Sequence, residues 1–85
     1  MNQVAIDQLR ILLSITDPNS DQLFTVLLLA YKVISERTDQ DIADDLLVSA
    51  PTIKRWLMGK NLPYMAMRAG IHRWLSEKIN QLEVK

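Results

Sequence analysis

Cysteine is absent from the chain, and histidine occurs once, at His72. The first absence excludes a disulfide framework and any cysteine-ligated metal centre. The second leaves a metal site to carboxylates alone, and Asp39, Asp41, Asp44 and Asp45 do not follow the spacing of a calcium loop. With only two glycines, Gly59 and Gly70, no glycine-rich loop can cradle a phosphate. No nucleophile–base pair stands out, so neither an enzyme nor a cofactor is expected. The most apolar run, Val26 to Tyr31, is far short of the roughly 20 residues that cross a bilayer. The opening MNQVAIDQLR has an early acid and no basic segment, so no secretory signal is expected, and the plain expectation is a cytoplasmic protein.

What is present is helical. The 85 residues suit one small domain, and a hydrophobic share of 48% suffices for a core and argues against disorder. Ile6, Leu9 and Leu13, widened by Leu12 and Ile15, predict a helix over 2–16. It lengthens the core or is an arm exchanged with a second subunit. Asp17-Pro18-Asn19-Ser20 breaks it with turn chemistry. The next helix, Asp21 to Glu36, is apolar nearly all round and therefore central or part of an interface. A last helix over 63–82 opens at Pro63, with Met67, Ile71, Trp74, Ile79 and Leu82 buried and Leu75 near the edge. Gly70 weakens it by ~1 kcal/mol, which predicts close packing there.

Between these lies the stretch that organises the rest, residues 38–59, TDQDIADDLLVSAPTIKRWLMG. Thr38 and Asp41 have the spacing of a capping box. Ile42, Ala43 and Leu46 recur at helical spacing. Ser49 offers a second N-cap, and Pro51 falls in the first turn, where its missing N–H costs nothing. Ile53, Trp56 and Leu57 form a buried stripe, and Gly59 can end the helix. Ala43 permits close approach of the two helices, and Val48 fills the gap between them. Thr52, Lys54 and Arg55 are left on the outer face, with Ser49 and Ala50 at the tip. Two short helices joined this way predict a helix-turn-helix.

These residues, Asp41-Ile-Ala43, Leu46, Val48-Ser49, Thr52-Ile53, Arg55-Trp56, Gly59 and Pro63, resemble the phage repressor and Cro-like (XRE-type) helix-turn-helix family. The resemblance covers about a third of the chain. It departs at Leu47, where many members carry glycine, which implies a longer or reshaped turn. It implies an all-α, five-helix lambda-repressor-like domain with an extra N-terminal helix. It also implies double-stranded DNA as partner, a homodimer on inverted repeats, and a role as a small transcriptional regulator. The helix 50–58 would enter the major groove. Ser49, Ala50, Thr52, Lys54 and Arg55 are the base-reading candidates. Lys60, Asn61 and Arg68 are the phosphate candidates.

Net charge is zero, but its distribution is polar. Residues 1–48 hold three basic and eight acidic side chains, and residues 49–85 hold seven basic and two acidic ones. The basic half starts where a polyanion would meet it. Acids gathered at helix starts by the macrodipole are the plainer account of the same split. Trp56 and Trp74 could stack on bases but fall within apolar stripes, which predicts core. Met58, Met65 and Met67 with Tyr64 are read as core filler first and as an adaptable contact surface second. The rival to DNA binding is a protein-interaction module, phage accessory or antitoxin-like, that keeps the motif as a scaffold. Zero net charge, Pro51 at the tip and apolar Ala50, Leu57 and Met58 support it.

Overall fold

Four of the five helices in the computed structural model, which describes residues 2–82, begin at a side chain that accepts a backbone N–H. In α1 (Gln3–Ile15) that side chain is Asn2, which accepts from Ala5 at 2.8 Å. In α2 (Asp21–Ser35) it is Ser20. In α3 (Asp39–Leu46) Thr38 accepts from the Asp41 amide at 3.1 Å while the Asp41 carboxylate accepts from the Thr38 amide at 3.0 Å. In α4 (Ala50–Leu57) Ser49 accepts from Thr52. Each cap satisfies a donor that the first turn cannot pair internally, so the caps set where the chain turns. No strand occurs among the described residues.

The last helix, α5 (Met65–Asn80), has no side-chain cap. Pro63 does not open it as its fixed φ suggests; helix geometry starts at Met65 and ends at Asn80, inside the expected 63–82. Its buried stripe is Arg68, Ile71, Leu75 and Ile79, at intervals of three and four residues. Leu75, expected near the edge, is at the centre of that stripe and fully buried. Trp74 is half-buried and meets the Tyr31 ring edge-on, with centroids 5.4 Å apart. Gly70 does not mark close packing: it is exposed, and a Cβ built there would meet nothing within 4 Å.

Helix α2 is the hub, in contact with α1, α4 and α5. It sends Phe24, Leu27, Leu28 and Tyr31 into one continuous core with Leu9, Ile42, Ala43, Ile53, Trp56, Ile71, Leu75 and Ile79. The opposite side of α2 stays apolar and exposed at Val26, Leu29 and Val33. On α1, Ile6 and Leu9 are buried, while Val4, Ile11 and Ile15 face outward; Ile15 therefore does not widen the buried face as its spacing suggested. The closest-knit pair is α3 with α4, and Ala43 of α3 is wholly buried in the core. No helix among the described residues is long and apolar enough to cross a membrane.

Candidate functional site

The α3–α4 pair is set by three residues of turn, Leu47 to Ser49. Leu47 takes the left-handed conformation, φ 58°, which leucine rarely adopts. The turn holds because the Val48 amide donates back to the Ala43 carbonyl at 3.0 Å, closing the end of α3, while Val48 packs half-buried against the core. The Leu47 side chain meanwhile stands 91% exposed.

From Ser49 onward α4 is two-sided. Ile53 and Trp56 are buried and Leu57 is partly buried, so Lys54, Arg55 and Met58 are left in solvent. Ser49, Thr52 and Arg55 follow one another at three-residue spacing and are linked. Ser49 Oγ and Thr52 Oγ1 are 2.8 Å apart, and Arg55 Nη2 donates to Thr52 Oγ1 at 3.2 Å. The arginine is thus held along the helix by a hydroxyl, and its other donors are left for an outside acceptor. Ala50, half-buried, lines an open groove with Val33 and Arg37.

A Schellman closure ends α4. Gly59, at φ 73°, donates to the Trp56 carbonyl at 3.0 Å, and Lys60 donates to the Arg55 carbonyl at 2.8 Å. Asn61 follows at φ 49°, and its carbonyl accepts the Trp56 indole N–H at 3.1 Å. Trp56 is thereby core and loop anchor together. The Lys60 and Asn61 side chains are exposed beyond it. Among the described residues, no salt bridge engages Lys54, Arg55 or Lys60.

Arg68 does not join this surface. It is 6% exposed, so it is withdrawn from the phosphate-contact set that sequence suggested. Its Nε donates to the Pro63 carbonyl at 2.6 Å, and Nη1 is 2.6 Å from the Asp21 carboxylate. Nη1 also reaches the Pro18 and Asn19 carbonyls, and the guanidinium lies 5.7 Å from the centre of the Phe24 ring. A charge buried this deeply persists because its donors are matched.

The acids of α3 are largely committed locally. Arg37 Nη1 donates to Asp45 at 2.7 Å and to the Tyr31 hydroxyl at 3.3 Å, and Nη2 donates to the Asp41 carbonyl at 3.3 Å. Lys78 reaches Asp45 at 3.8 Å, and Lys32 reaches Asp39 at 3.6 Å. The Arg37 hydrogen bond holds the Asp45 carboxyl below its ordinary range. The Thr38 backbone N–H, then its hydroxyl, does the same for Asp41. Sequence reading passed over Arg37, whose position just before the Thr38 cap was the available signal.

Met58, Tyr64 and Met65 are exposed rather than core, and only Met67 is partly buried. The chain matches no family model, no curated protein and no solved structure.

Proposed function

We propose that the protein is a sequence-specific double-stranded DNA-binding domain, a small transcriptional regulator with a lambda-repressor-like helix-turn-helix made of α3 and α4. One observation carries this reading: α4 exposes Arg55, preset by Thr52 and Ser49, beside Lys54, with Lys60 and Asn61 just beyond its end. Placed in the major groove, Arg55 pairs with a guanine through two hydrogen bonds, and Ser49, Ala50, Thr52 and Lys54 complete the base-reading face. Lys60 and Asn61 hold phosphates and fix orientation. The pairing of Asp39 with Lys32 and of Asp45 with Arg37 and Lys78 supports the reading, because it offsets the repulsion of a polyanion by two of the four α3 acids.

A homodimer belongs to this proposal, because single arginine–guanine contacts discriminate weakly and paired half-sites add. The exposed stripes Val4, Ile11 and Ile15 on α1 and Val26, Leu29 and Val33 on α2 supply the apolar surface. Light scattering at high micromolar concentration tests it; a monomer with and without DNA overturns it.

The second reading is a protein-interaction module. Leu47 and Met58, exposed on either side of α4, favour it. Titration against random duplex DNA at low salt separates the two, since even non-specific binding follows counterion release. Selection of bound sites from a random pool then identifies the operator. A chain that ignores duplex DNA at low salt removes the first reading.

A further inference from the structure

The segment Lys60–Tyr64 joins α4 to α5 without regular structure, yet two buried donors grip its carbonyls. The Trp56 indole holds Asn61 from the α4 side, and the Arg68 guanidinium holds Pro63 from the α5 side. The arginine is itself anchored at its far end on Asp21 and on the carbonyls of Pro18 and Asn19, in the loop before α2. A charge-assisted hydrogen bond of 2.6 Å to an otherwise free carbonyl is a strong restraint on a short loop. Lys60 lies just before the first grip, its backbone N–H on the Arg55 carbonyl, Asn61 carries the first gripped carbonyl, and both side chains are in solvent.

We propose that Arg68 is a positioning residue for the polyanion contact: through the Pro63 carbonyl it sets the loop that presents Lys60 and Asn61, and Asp21 holds Arg68 in place for that task. The inference rests on the DNA-binding reading for its purpose but not for its geometry. Only the pre-set loop delivers the Lys60 ammonium to a phosphate without first paying to order the chain. Arg68 and Lys60 therefore act on one contact, not two.

The test uses Arg68→Lys in the full chain. Lysine keeps the charge but cannot span Pro63 and Asp21 together. Trypsin under native conditions provides a DNA-free readout, because Lys60 is exposed and its peptide bond lies in the gripped loop. Cleavage after Lys60, resolved by mass spectrometry, is compared with cleavage after Arg73 inside α5, which reports global opening. Arg68→Lys is expected to raise cleavage after Lys60 by about tenfold relative to Arg73, as befits one lost charge-assisted hydrogen bond. Asp21→Asn, a change at an exposed site, should act in the same direction and serves if Arg68→Lys fails to fold. In duplex DNA titrations across salt, Arg68→Lys and Lys60→Ala should each reduce the slope by about 0.9, the value for one phosphate, and the double variant by no more.

Equal acceleration at Lys60 and Arg73 overturns the proposal, since Arg68 would then support the whole fold and not the loop. A double variant that loses about twice the slope also overturns it. If the wild-type chain ignores duplex DNA, the DNA reading falls, and the trypsin ratio alone decides whether Arg68 positions the loop.

Discussion

Arg55 Nη2 donates to Thr52 Oγ1 at 3.2 Å, one turn back along α4, and Thr52 in turn lies 2.8 Å from Ser49 Oγ. The guanidinium is therefore oriented before any partner arrives. If it pairs with a guanine, Arg55→Ala costs ~1–3 kcal/mol per half-site and relaxes preference at that base pair. Arg55→Lys does not restore the preference, because a point charge cannot make the bidentate pair. Thr52→Val removes the tether and costs ~0.5–1.5 kcal/mol, the net value of one hydrogen bond. Titration of the three variants against a selected site and a scrambled one checks this. Unchanged affinities for Arg55→Ala transfer the case to the interaction-module reading.

Gly70 offers a test of the fold that also touches assembly. It is exposed within α5, and a Cβ there meets open space. Gly70→Ala should therefore stabilise by about 1 kcal/mol through helix propensity and reduced freedom of the unfolded chain. For a chain of this size that raises Tm by about 4–8 °C. A drop in Tm would mean that α5 meets another molecule closely at Gly70, and would direct the dimer search there.

The parts legible in the sequence were those governed by near neighbours. The Thr38–Asp41 cap, Ser49 before α4 and Gly59 after it depend on contacts within five residues, and the Ile53–Trp56 stripe is marked by spacing within one helical turn. Arg68 was read as a surface cation because its partners Pro18 and Asn19 lie 50 and 49 residues away. Leu75 was misplaced because α5 carries apolar residues on several sides, so periodicity does not single out one stripe. Met58 and Met65 illustrate the same limit from the other direction. A flexible thioether suits core and surface alike, and only the packing of α4 and α5 decides.

Leu47 is a strained position with a functional reading attached. A left-handed leucine costs ~1–2 kcal/mol; glycine there relieves that strain but forfeits ~0.5–1 kcal/mol of the gain to the greater freedom of its unfolded chain. Leu47→Gly should thus raise stability by ~0.5–1 kcal/mol in urea unfolding, and Leu47→Val, β-branched, should lower it. The two functions then diverge. DNA affinity should be unaffected by Leu47→Gly, whereas a protein partner seated on the exposed side chain should be lost. A stable Leu47→Gly variant that loses only DNA binding contradicts both halves of this argument.

Acid stability follows from α3. The folded carboxyls of Asp41 and Asp45 titrate below their ordinary range, the first through the Thr38 cap and the second through Arg37. The unfolded chain, with aspartates near 3.9, binds more protons than the folded one as pH falls through that value. The stabilisation is therefore complete above about pH 5 and is lost as pH drops through the two folded values. Urea midpoints should be flat from about pH 7 to 5 and fall below about pH 4. Asp45→Asn keeps an acceptor for Arg37 but cannot titrate, so it should be less stable at neutral pH and show a shallower acid decline. The Arg37 guanidinium stays charged throughout, held above its already high ordinary value by Asp45 and Tyr31, so it adds no slope of its own in this window. An Asp45→Asn variant with the full wild-type decline would assign the acid sensitivity to carboxylates outside the Arg37 network.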